Sequence, residues 1–152
     1  MDEIASNRHA WGTLAEDHYR HYKERIERGE NRLNMHIREE LGDLAGKRVA
    51  HLQCNVGFDT LALAENAARV TGVDLAPENV RCAQRLAEDF GIGNVEFVEA
   101  DVCDLPPSSF FDTRSTITAL HTLPSASFTN SFTVVWYILG SSPNTQTASS
   151  WP

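Results

Sequence analysis

The sequence predicts an α/β fold, an open parallel sheet preceded by N-terminal helices and followed by an irregular C-terminal tail. Three observations carry that prediction. Residues 48–54 and 68–74 read as buried strands, and a turn over 55–60 with a helix over 61–68 stands between them. After a further helix, residues 95–100 alternate as a third strand. Strand alternating with helix implies right-handed crossovers, hence a βαβαβ sheet.

The elements follow in order. Trp11, Leu14, Ala15, His18 and Tyr22 recur at helical spacing, with Glu16, Asp17, Arg20, Lys23 and Glu24 opposite, so an amphipathic helix is expected over about 9–27, ended by Gly29. Trp11 and Tyr22 are expected to pack against the domain. A second helix is expected over 31–41, presenting Leu33, Ile37 and Leu41, before Gly42 and Gly46 turn the chain into the first strand. Asp59 or Thr60 can cap the helix beginning at Leu61. Past Asp74, Pro77 suits a first helical turn and Glu78 complements the helix dipole there. Val80, Ala83, Leu86, Ala87 and Phe90 form that helix's apolar stripe, Gly91 closes it, and the third strand delivers Asp101.

The pattern then stops. Phe110, Phe111 and Asp112 look like the approach to a fourth strand, yet a polar run from Thr113 follows where an apolar one is needed. Residues 132–139 could form a strand, but an uncharged β-prone run is equally an aggregation hazard. The chain thus divides into an N-terminal helical segment (1–46), a partial ligand-binding domain (47–112) and an aberrant, disordered Ser/Thr-rich tail (113–152). With no fourth strand beside the first, an exposed apolar edge and self-association are expected.

Composition divides at the same place. All 21 acidic residues and all basic ones except Arg114 lie at or before Asp112, while the last 40 residues hold 16 Ser or Thr. The front part, about −9 in net charge, offers no basic stripe to displace counterions, so nucleic acid is not an expected partner. Neither a signal peptide nor a run near the ~20 apolar residues that span a bilayer is present, and a cytoplasmic protein off the membrane is the expectation. Cys54, Cys82 and Cys103 form no C-x-x-C pair and read as small buried hydrophobes. His18 and His21, three apart, lack a third ligand, so no metal site is expected.

The 55–60 turn discriminates between ligands. Dinucleotide binders use three glycines so that amides can grip a pyrophosphate, but here only Gly57 survives and Asp59 places a carboxylate near the anion's position. At a few Å that repulsion is on the order of several kcal/mol for a partly buried phosphate. NAD and FAD are therefore disfavoured and a cationic adenosyl compound, S-adenosylmethionine, is favoured. Asp74, 17 residues beyond Gly57, is close to the spacing at which a carboxylate meets ribose hydroxyls. Asp74 and Asp101 can instead be ordinary strand-end residues, and His51 a hydrogen-bonded core residue.

Residues 49–61, then 70–77, then 99–106 resemble the class I S-adenosylmethionine-dependent methyltransferases, a Rossmann-like family. The likeness is nearest to the branch whose first motif reads H-L-Q-C, as in His51 to Cys54. Asn7, Trp11, His18 and Tyr19 are similar to that branch's N-terminal helix, which covers the cofactor. The likeness spans roughly 7–112. It implies the first βαβαβ half of the fold, with S-adenosylmethionine bound by Cys54, Asn55, Gly57, Asp59, Asp74, Leu75, Asp101, Val102 and His18. It also implies methyl transfer to a small-molecule acceptor, in a chain truncated after the third strand and of doubtful activity. No residue is assigned a catalytic role. An inactive cofactor-binding module and an NAD-binding relic stay open as alternatives. A frameshift, retained intron or alternative splice after Asp112 would explain the change in composition.

Overall fold

A computed structural model of the chain describes residues 3–31 and 33–105, and the backbone of 133–136. Helix α1 runs Glu3–Glu27, starting well before the expected ~9 because no Gly or Pro interrupts its first turns and Glu3 complements the dipole there. Helix α2, Met35–Leu41, is shorter than expected: the Asn34 side chain accepts from the His36 amide and caps it at that point. Strand β1 is Arg48–Leu52, helix α3 Phe58–Ala64, strand β2 Arg69–Asp74, helix α4 Pro77–Asp89 and strand β3 Val95–Glu99. A single 3₁₀ turn, Val102–Asp104, follows, and the fourth strand, β4, is Thr133–Trp136.

The four strands are parallel in the order β3-β2-β1-β4. Val49 stands opposite Val70 on one side and Thr133 on the other, and Val70 opposite Val95. The expectation that the place beside the first strand is empty is thus corrected. A β-branched and aromatic run, Thr133–Trp136, pairs there, and the self-association argument loses its premise at that edge. Phe110 to Asp112 and the remainder of 113–152 lie outside the described residues.

Two apolar clusters hold the sheet. One joins Ala15 and Tyr19 of α1 to Val80, Ala83, Leu86 and Ala87 of α4, with Val56, Leu61 and Phe97. The other joins Leu41 and Leu44 to Val49, Leu63, Ala64, Ala67 and Val70. Helix α3 lies between them, and every one of its residues except Asp59 is buried. Phe97 fixes the spacing of the site. A Cβ on Gly72 would fall 2.6 Å from its ring, and one on Gly57 2.8 Å from it, so only glycine fits at either position. Gly57 also needs its φ of 80° to start α3. That start is three residues earlier than expected, and neither Asp59 nor Thr60 is the cap.

Candidate functional site

Residues 53–57 leave β1 at its carboxyl end, where ligands of open α/β sheets bind. Their path is sharp: Gln53 and Asn55 have φ of 56° and 53°, in the left-handed region that Asn tolerates and most residues avoid. The strain is held by two bonds to β2 and one within the loop. The Cys54 amide donates to the Val73 carbonyl (2.9 Å), the Asn55 amide to Asp74 Oδ2 (2.8 Å), and the Val56 amide to Asn55 Oδ1 (2.7 Å). His18, from α1, meets Asn55 Oδ1 at 3.2 Å, which requires its proton on Nδ1. Cys54 is buried, and burial, with the Asp74 charge second, pushes its thiol well above the usual range, so it is no nucleophile.

Asp74 ends β2 and is 7% exposed. Besides the Asn55 amide on Oδ2, the Ala76 amide and Asn79 Nδ2 both donate to Oδ1, each at 3.0 Å. Oδ2 thus keeps capacity for one further donor. Leu75, next along, is partly exposed. The Ala100 amide donates to the Asp74 carbonyl (3.0 Å), which sets Asp101 beside the end of β2. Asp101 Oδ1 accepts the Cys103 amide (2.8 Å), so this carboxylate caps its own 3₁₀ turn, with Val102 partly exposed beside it. Cys103, expected to be buried, is exposed on that turn.

Helix α1 walls this end. Arg8 pairs with Glu99 at the end of β3 (2.9 Å), and Tyr22 stacks on Phe58 with ring centroids 4.6 Å apart. Arg25 lies over the other aromatic of that pair, 4.5 Å from the Phe58 centroid. Trp11 departs from expectation: it is 39% exposed, its ring 6.5 Å from that of His18. Asp59, half-buried, is shifted up by burial, with Arg25 opposing the shift. That guanidinium offsets part of its charge, so the repulsion it exerts on a phosphate is weaker than the bare sequence implies. Burial, then Asp59, raises the Tyr22 phenol. Behind the loop, His51 Nδ1 meets Thr60 Oγ1 at 2.8 Å, and burial drops the imidazole to about 4, so it is neutral at pH 7.

The structure therefore gathers Cys54, Asn55, Asp74 and His18 through shared hydrogen bonds, puts Asp59 behind them against α1, and sets Leu75, Asp101 and Val102 at the ends of neighbouring strands. Gly57 turns its absent side chain toward Phe97, into the protein. The cleft between Tyr22, Gln53, Asn55, Phe58 and Asp59 is small, about 30 Å³. A larger hollow of about 620 Å³ lies by Gly91, Ile92 and Val95, at the strands' amino end and away from this chemistry. Asn79 was missed in the sequence: its position reads only as a helix start. Among the described residues no group of three His, Cys, Asp or Glu could hold a metal ion, and no helix is long and apolar enough to cross a membrane.

Comparison with known proteins extends this picture. The family model described as "Methyltransferase domain" matches residues 49–140, past the Asp112 boundary drawn from the sequence. A 23S rRNA (uracil(1939)-C(5))-methyltransferase of Methylococcus capsulatus is 52% identical over 56 residues, 37% of this chain and 13% of that protein. A ubiquinone biosynthesis O-methyltransferase of Paracidovorax citrulli is 34% identical over 86 residues, 55% of this chain and 36% of that protein. The chain thus matches well under half the length of these relatives. Among solved structures, DhpI in its complex with SAH is similar at a TM-score of 0.51 and 25% identity, over 69% of this chain and 48% of that one.

Proposed function

Because the chain belongs to the methyltransferase domain family, we propose that the carboxyl end of its sheet binds S-adenosylmethionine and that the protein transfers the methyl group to a small-molecule acceptor. The observation that carries the reading is Asp74. Its carboxylate ends β2, is held by three donors, and keeps room on Oδ2 for a ribose hydroxyl. Asp101, with one oxygen committed to its own turn, has the other for the adenine amine. Leu75 and Val102 would flank the base, while Cys54, Asn55, Gly57 and Asp59 form the loop and His18 holds its shape from above. The cofactor would supply an electrophilic methyl on a sulfonium; the protein's part is alignment and the exclusion of water. The acidic rim of Asp59, Asp74 and Asp101 suits that positive charge.

Calorimetry with S-adenosylhomocysteine tests this. A hydrogen bond to a charged group contributes about 1.5 to 3 kcal/mol, so Asp74→Ala should weaken binding roughly 10- to 100-fold. Equal affinity in wild type and variant refutes the ribose contact. The acidic charge, −8 overall, supports a small acceptor over a phosphate backbone. An RNA acceptor is the second reading, favoured by the 52% identical stretch shared with an rRNA methyltransferase. Methyl transfer to total RNA, and none to small acceptors, would decide for it. Binding without transfer to either leaves a cofactor-binding module.

A further inference from the structure

Asn79 is a buried amide on a helix whose neighbouring inward positions, Val80, Cys82, Ala83, Leu86 and Ala87, are otherwise apolar. It is 1% exposed, and among the described residues its Oδ1 has no hydrogen-bond partner. An apolar side chain would leave no such orphan, so the amide is not there for packing. What it does have is one bond, Nδ2 to Asp74 Oδ1 at 3.0 Å. A carboxylate can only accept, which fixes the amide's orientation. With the Ala76 amide on the same oxygen, Oδ1 is filled and the carboxylate plane is set. Only Oδ2 has capacity left.

We propose that Asn79 is a positioning residue for cofactor binding: by filling Asp74 Oδ1 it presents Oδ2 alone to the ribose diol, so that one hydroxyl carries the recognition. The inference rests on the reading of Asp74 as the ribose acceptor. It names which oxygen is offered and which residue selects it.

Titration calorimetry on the full chain, with S-adenosylhomocysteine and its 2′-deoxy and 3′-deoxy forms, separates the two claims. Wild type should bind one deoxy form at least about 10-fold more weakly and the other nearly as well as the parent compound. Asn79→Ala should lower affinity several-fold and reduce the contrast between the two deoxy forms, a ratio that loss of folded protein does not change. In Asn79→Asp the introduced carboxyl donates when protonated and repels Asp74 when ionised, so its affinity should fall as pH rises from about 5 to about 8 while that of wild type stays flat. If Asn79→Ala does not fold, Asn79→Asp compared with itself across that range gives the answer. Wild-type contrast kept in Asn79→Ala, or a flat profile in Asn79→Asp, overturns the role of Asn79 and leaves the ribose contact intact. Loss of the contact itself would show instead as Asp74→Ala binding like wild type.

Discussion

Helices α1 and α3 border the same loop and are fastened in opposite ways. In α3, seven residues long, Leu61 enters one apolar cluster while Leu63 and Ala64 enter the other. In α1, with 25 residues, only Ala15 and Tyr19 are buried, Tyr22 and Ile26 pack partly buried against the same cluster, and ion pairs supply the rest of its attachment. Lys23 pairs with Asp89 (2.7 Å), where Tyr19 also donates, Arg85 pairs with Glu16 (2.8 Å), and Arg8 pairs with Glu99 (2.9 Å). Burial of apolar area is not weakened by charge screening, whereas exposed ion pairs contribute little and are screened. Helix α3 is therefore set by the core, whereas α1 rests in part on exposed ion pairs that salt weakens.

The sharpest way to break this contrast is Leu61→Ala. With Leu61 fully buried, the expected cost is about 3 kcal/mol, within the usual 2 to 5, read by urea denaturation. A cost below about 1 kcal/mol would mean that α3 is not the fixed element. Acid gives the next effect. His51 joins β1 to Thr60 of α3 and is held neutral by burial at about 4, below its ordinary 6.5. The unfolded chain binds the proton more readily, so this stability is fully present above about pH 6.5 and is lost as pH falls through about 4. The loss is on the order of 3 kcal/mol. Melting followed from pH 7 to 4 should show that slope and His51→Asn should flatten it; equal slopes would place the acid sensitivity elsewhere. Smallest is Arg85→Ala, which should speed amide hydrogen exchange in α1, as added salt should, and leave α3 unchanged. Equal acceleration in both helices would show that they open together.

The two helices also differ in how much of them the sequence discloses. The interior of α1 was legible because charges alternate with Leu14, Ala15, His18 and Tyr22, but its first turns carry no periodicity, and the start at Glu3 was not. Strands β1 and β2 were legible as apolar runs, β2 ending in Asp74, and β3 as an alternating stretch. What escaped were arrangements made by residues far apart. Asp59 and Thr60 look like caps until Arg25 and His51 claim them. The three donors on Asp74 come from the loop, the turn and α4, and no local pattern announces Asn79. Asp101, which caps its own turn two residues on, is local. The β-prone run over 132–139 signalled a strand, and β4 lies within it, but its place beside β1 had no local signal.

That outer pairing also orders assembly in time. Val49 meets Val70, and Val70 meets Val95, across short stretches of chain, but Val49 meets Thr133 across one roughly four times longer, whose closure entropy is higher by about 1 kcal/mol. Distant parallel pairings are slow to form. During synthesis the first three strands can dock while β4 is still emerging, and until it arrives the open backbone of β1 is a place where chaperones or stray strands compete for the chain.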